Sequence, residues 1–224
     1  MAQSWGRYIP HVPPTARLFA FAATALIVIV IPGPSVLFVV ARALASGRRV
    51  AVLSVVGNAL GEYVQVVAVA FGIGALAERS VLAFTVLKVV GGGYLIYLGV
   101  KTFRERRSLA VALAAPMEGR SDARSFLQGA IVGVTNPKTV VFLAAILPQF
   151  VSSGAGNVPG QILVLGLVFV AIAIVSDTAW AFAAGGFRTW FSGSPKRLEL
   201  VGGTGGLAIM AIGAGLLVTG PRTD

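Results

Sequence analysis

An all-α membrane protein of six transmembrane helices, built as two inverted three-helix repeats with broken first and fourth helices, is the fold class that the sequence predicts. Three observations predict it. Of the 224 residues, 56% are hydrophobic and 12% charged, against about 25% charged in a soluble domain. Six stretches reach the roughly 20 mostly apolar residues that a bilayer crossing takes: Leu18–Ala41, Val50–Ala77, Val81–Val100, Phe126–Val151, Gln161–Phe187 and Leu198–Thr219. The first and fourth are interrupted in the middle, by Pro32-Gly33-Pro34 and by Asn136-Pro137.

Residues 1–17 form a Pro-rich tail that holds the only histidine, His11, which reads as an inert exposed residue. Arg7 and Arg17 before an apolar run raise the question of a signal peptide. The run outlasts the roughly 7–15 residues of a signal core, so it is read as a retained span. Proline lacks a backbone N–H and clashes with the carbonyl four residues earlier, so Pro-Gly-Pro interrupts the first helix. In hydrocarbon such a break persists only where protein or a water-filled cavity satisfies the freed groups. The motif therefore points to a cavity.

The second span carries Asn58 and Glu62, and the third carries "LKVVGGGYLIYLG" from Leu87. A basic segment, 104–124, contains Pro116 and reads as a cytoplasmic linker between a first repeat over 18–103 and a second over 125–220. Within the second repeat, the fourth span is broken, the fifth holds Asp177, and the sixth carries "LELVGGTGGLAIMAIG" from Leu198. Val90-Gly91-Gly92 thus aligns with Val201-Gly202-Gly203. Each half has a broken span, a span with an acid and a span opening on glycines. An odd number of spans per repeat turns the second copy upside down, and inverted repeats with interrupted helices point to a secondary transporter whose site lies near the midplane.

The net charge of +10 does not indicate nucleic acid, because the basic residues sit in short segments between apolar runs. They serve better as a topology signal. If the spans alternate, Arg42, Arg48, Arg49, Lys101, Arg104, Arg106, Arg107, Arg120, Arg124, Arg188, Lys196 and Arg197 fall on one side, and Arg7, Arg17, Arg79 and Arg222 on the other. Twelve against four places the first, third and fifth loops in the cytoplasm and both termini outside, unless the first span re-enters. The cluster Lys101–Arg107 is also of the kind that attracts anionic lipid.

Four ionisable residues lie inside apolar spans: Glu62, Lys88, Lys138 and Asp177. A charge at a helix centre costs about 2.5–3.5 kcal/mol on insertion scales, so each needs a reason. At the helical rise Glu62 and Lys138 lie roughly 18 Å into their spans, near mid-depth, and Asp177 is also well inside. Lys88 is only about 10 Å in and reads as a side chain snorkelling to the headgroups. The other three form either a structural ion pair or the lining of a substrate path. An acid held between burial, which disfavours its charge, and a lysine, which favours it, can take up and release a proton, so Glu62 and Asp177 are candidate proton-coupling residues. Asn58, one turn before Glu62, shares its helix face.

Gly57 with Gly61, Gly129 with Gly133, and Gly202 with Gly206 have the spacing that lets membrane helices approach closely, within one chain or across a homodimer. The run Gly91–Gly93 has neither the strand nor the Lys-Ser/Thr of a phosphate loop. Zero cysteines exclude disulfides and thiol chemistry, and one histidine excludes His-based metal or haem sites. Two acids could in principle serve intramembrane hydrolysis, but neither sits in a catalytic motif. The expectation is no enzyme, no metal and no cofactor.

The stretches "PGPS" at Pro32–Ser35, "GRRVAVLSVVGNALGE" from Gly47, "LKVVGGGYLIYLGVKTFR" from Leu87 and "NPKTVVFLAAILPQF" from Asn136 resemble the lysine exporter family of small bacterial efflux proteins, of LysE and RhtB type. The resemblance runs from about Phe19 to Gly220. It implies a six-helix transporter of the bacterial plasma membrane that moves amino acids outward in exchange for protons, with lipid and substrate as its partners. Pro32, Gly33 and Pro34 match the family's first break, and Asn136, Pro137 and Lys138 its second. The expected substrate site comprises these six with Ser35 and Asn58, amides at the breaks meeting a carboxylate. The proton role of Glu62 and Asp177 rests on the reading of their burial alone. A small channel, or an exporter of another metabolite, is the alternative.

Overall fold

The structure, a computed structural model of the chain, describes residues 13, 15–73, 81–107, 121–152, 156–186 and 194–218. Its regular elements are all helical among these residues. Helix α1 covers Thr15–Val30 and α2 covers Pro34–Ser46, the two bent by 53° across the Pro-Gly-Pro break. Pro34 opens α2 at its first position, where a missing N–H does no harm. Only Gly47 separates α2 from α3, Arg48–Ala68, and its φ of 87° is the left-handed value that glycine alone adopts cheaply. A π-turn, Val69–Ile73, extends α3.

Helix α4 spans Val81–Arg104 and α5 spans Asp122–Thr135. After Asn136, α6 begins at Pro137 and continues from Val141 through a π-turn, Phe142–Ile146, and a tight 3₁₀ turn, Leu147–Phe150. The bend across this second break is 41°. Helix α7, Val158–Gly186, and helix α8, Pro195–Val218, complete the described fold. The interval 108–120, most of the expected linker, and His11 lie outside the described residues, as does the side chain of Lys88.

Among the described residues, two unbroken helices, at Arg48–Gly72 and Val158–Ala184, are long and apolar enough to cross a membrane; counting each bent pair as one span brings the number to four. Helices α4 and α8 are 24 residues each, about 36 Å at the helical rise. Large apolar side chains such as Phe19, Ile27, Leu82 and Val175 stand on the outer surface, the pattern of a chain solvated by lipid.

Glycines set two of the helix contacts. A Cβ on Gly57 or Gly61 would strike the carbonyls of Phe126 and Ala130 on α5, and one on Gly129 or Gly133 would strike those of Ser54 and Asn58 on α3. Helix α4 meets α8 in the same way, Gly99 against Gly206 and Gly92 against Gly213. These spacings are therefore used inside one chain. Helix α7 runs against α1, α2 and α3. Phe142 stacks on Phe169 of α7 at 5.2 Å, with Phe21 of α1 at 6.0 Å, and this aromatic cluster closes the core beside the breaks.

Candidate functional site

The two breaks meet. Asn136, between α5 and α6, donates through Nδ2 to Ser35 Oγ in the first turn of α2 at 2.7 Å. Ser35 in turn donates to Asn58 Oδ1 at 2.9 Å, and Asn58 Nδ2 donates to Asp177 Oδ2 at 3.3 Å. One buried chain of side chains thus joins α6, α2, α3 and α7.

Each break is repaired from the opposite half of the sequence. Pro32 cannot donate to Val28 O, its partner four residues earlier in a continuous helix. Lys138 Nζ takes that acceptor at 3.1 Å, and Ile31 O at 2.9 Å. Pro137 likewise cannot donate to Gly133 O, which takes the Asn136 N–H at 3.3 Å instead; Gln65 Nε2 of α3 reinforces it at 2.8 Å and reaches Val134 O at 2.9 Å. Asn136 caps α6 through Oδ1, which accepts from Lys138 N at 3.1 Å. Gly33 lies against the lysine stem: a Cβ there would meet Nζ at 3.0 Å. On the outer side, Gly205 of α8 approaches so closely that a Cβ would strike Pro32 O.

A small cavity of about 10 Å³ lies between the breaks, walled by Ser35, Val36, Glu62, Asn136, Lys138, Thr139 and Asp177 with Ile29, Phe169 and Ala173. That is room for about one water. Helix α2 has no side-chain cap at its N-terminus, so the first-turn amides of Ser35 and Val36, both residues of the cavity wall, lack intrahelical acceptors. The positive end of its dipole points the same way. Glu62 Oε1 accepts from Thr139 Oγ1 at 3.2 Å, while Oε2 is buried with no hydrogen-bond partner. Among the described residues no ion pair joins Lys138 to Glu62 or Asp177.

All ten residues singled out in the sequence fall at this junction: Pro32, Gly33, Pro34, Ser35 and Lys138 at the first break, Asn136 and Pro137 at the second, Asn58, Glu62 and Asp177 on the flanking helices. Gln65 and Thr139 were missed. Gln65 extends the polar stripe of Ser54, Asn58 and Glu62 along one face of α3, and that spacing was the available signal. Arg42, counted with the loop charges, is instead buried in α2 at 1% exposure, because the helix continues to Ser46. Its guanidinium lies over Phe38 at 5.1 Å and Nη2 donates to Gln128 Oε1 of α5. Among the described residues no three His, Asp or Glu side chains come together as a metal site would require.

Residues 26–220 match the family described as "LysE type translocator". The chain is 33% identical over 196 residues to a homoserine/homoserine lactone efflux protein of Salmonella typhimurium, covering 88% of this chain and 93% of that one. It is 35% identical over 166 residues to a membrane protein of Vibrio cholerae, covering 74% and 80%. A leucine efflux protein of Salmonella choleraesuis is 25% identical over 190 residues, 82% of this chain and 86% of its own. No solved structure matches the chain.

Proposed function

Because this chain belongs to the LysE type translocator family of membrane proteins, we propose that it is a secondary transporter that exports a small amino acid from the cytoplasm in exchange for a proton. The names of its relatives support the substrate class. The exchange rests on the site. The observation that carries it is the second carboxylate oxygen of Glu62, buried without a partner on the same cavity as the uncapped amides of α2. A buried, unsatisfied acceptor calls for an occupant, and two occupants suit it. One is a proton on the carboxyl; the other is the α-ammonium of a substrate whose carboxylate sits on the amides of Ser35 and Val36. Glu62, with Asp177 beside it, holds one or the other and never both. That exclusion is the coupling.

Pairing of the helices supports six spans in two inverted halves. Packing of α3 on α5 has its counterpart in α7 on α1 and α2, while α3 with α7 and α4 with α8 are pairs that map onto themselves. In this reading the halves 18–103 and 125–220 rock about the two breaks, and the Lys138 bonds to α1 give way as the cavity opens. The cavity, at about 10 Å³, is far too small for an amino acid, and this reading therefore assigns it to a stage of the cycle without cargo.

The test is reconstitution of the chain in vesicles with a pH gradient, with homoserine and leucine as trial cargoes. The Glu62→Gln variant inserts but loses gradient-driven transport, and its exchange of labelled for unlabelled substrate falls as well, because the ammonium loses its carboxylate. Undiminished gradient-driven transport in that variant removes Glu62 as the coupler. Flux that neither saturates nor follows the gradient makes the protein a channel.

A further inference from the structure

Away from the breaks, a groove of about 390 Å³ opens where the last turn of α4 meets the first turns of α8. We infer that it binds one anionic phospholipid, the phosphate between Arg107 and Lys196 and one acyl chain along Leu200 and Leu207.

The groove has two chemical ends. At the helix termini stand three cations, Arg106, Arg107 and Lys196, with one carboxylate, Glu199, an excess of two positive charges. Glu199 Oε1 takes Arg106 Nε at 3.3 Å and Arg107 Nε at 3.0 Å, fixing both guanidiniums. Arg106 is spent further on Phe103, donating to its carbonyl at 2.6 Å and lying 4.3 Å over its ring. Arg107 is not: its side chain meets Glu199 through Nε and is 81% exposed. Lys196 is exposed in the first turn of α8, a helix of 24 residues, where unsatisfied amides and the dipole add positive potential. Two basic side chains and a helix N-terminus converge on one opening.

The other end is apolar. Leu200 and Leu207, seven residues apart on one face of α8, are 67% and 52% exposed, and they run about 10 Å along the groove. Between them Gly203 keeps the floor low, since a Cβ there would meet Arg106 Cδ at 3.2 Å. A free phosphate or nucleotide has no use for the leucines, and a neutral lipid none for the cations. A lipid with a net negative headgroup uses both, and basic pockets between membrane helices suit such headgroups.

Native mass spectrometry of the full chain in detergent tests this, with phosphatidylglycerol and phosphatidylcholine of the same acyl chains as probes. The wild type retains one phosphatidylglycerol where phosphatidylcholine is lost. Arg107→Gln with Lys196→Gln, both exposed positions, weakens that binding about tenfold or more. Gly203→Leu weakens it too with every charge in place, and should that chain not fold, the charge variant decides. Equal retention of the two lipids overturns the proposal, as does unchanged binding in the charge variant. Displacement of the lipid by millimolar inorganic phosphate also overturns it, since the groove would then be a plain anion site.

Discussion

Lys138 Nζ donates at 3.1 Å to the carbonyl of Val28, the acceptor that Pro32 vacates by having no N–H. The lysine acts here as a splice, standing in for a helical hydrogen bond from another segment of the chain. Lys138→Met should leave buried carbonyls unsatisfied and lower stability in detergent by about 1–3 kcal/mol. Pro32→Ala returns a local donor, so the double variant should lose less than Lys138→Met alone, with a coupling of at least about 0.5 kcal/mol in the cycle. Strict additivity would refute the splice.

Gln65 does the same work at the second break, and there the chemistry of its amide can be separated from its shape. Gln65→Glu keeps the outline and, ionised, replaces the NH₂ with an acceptor facing the Gly133 and Val134 carbonyls. It should be at least as damaging as Gln65→Leu, each costing about 1–3 kcal/mol in the same unfolding measurement. A well-tolerated glutamate would mean that packing, and not donation, is what Gln65 supplies.

The α3–α5 contact predicts a contrast between glycines. Gly61→Ala and Gly133→Ala push a methyl into the facing backbone and should cost about 1–3 kcal/mol or block assembly. Gly93→Ala meets nothing within 4 Å and should stay within about 0.5 kcal/mol of wild type. Thermal melting in detergent distinguishes the two classes.

The acids should also part company. Asp177 Oδ2 already accepts from Asn58, whereas Glu62 has a free oxygen at the cavity. Asp177→Asn should therefore raise KM while keeping gradient-driven transport within about tenfold, a loss of up to about 1.4 kcal/mol. Glu62→Gln should abolish it. Equal losses, measured side by side in vesicles, would make the two acids a single coupled pair.

Much of the site could be read from residue types before any geometry. Three prolines at two breaks deep in apolar runs, and three charges where charges are expensive, announced the junction, because hydrocarbon tolerates neither without a partner. What those groups touch was not legible. Lys138 was read as part of an ion pair or of a substrate path, and its bonds to the Val28 and Ile31 carbonyls could not be foreseen, since the distance from α6 to the end of α1 is a property of packing. Gln65 escaped notice because an uncharged amide is cheap enough in a membrane helix to raise no alarm. Arg42 was misplaced because a loop boundary shifted by one helical turn turns a surface charge into a buried one.

The chamber between the breaks has room for about one water. A single water makes no file, so in the exchanger proposed above this chamber by itself gives hydronium and sodium no wire to follow between loads.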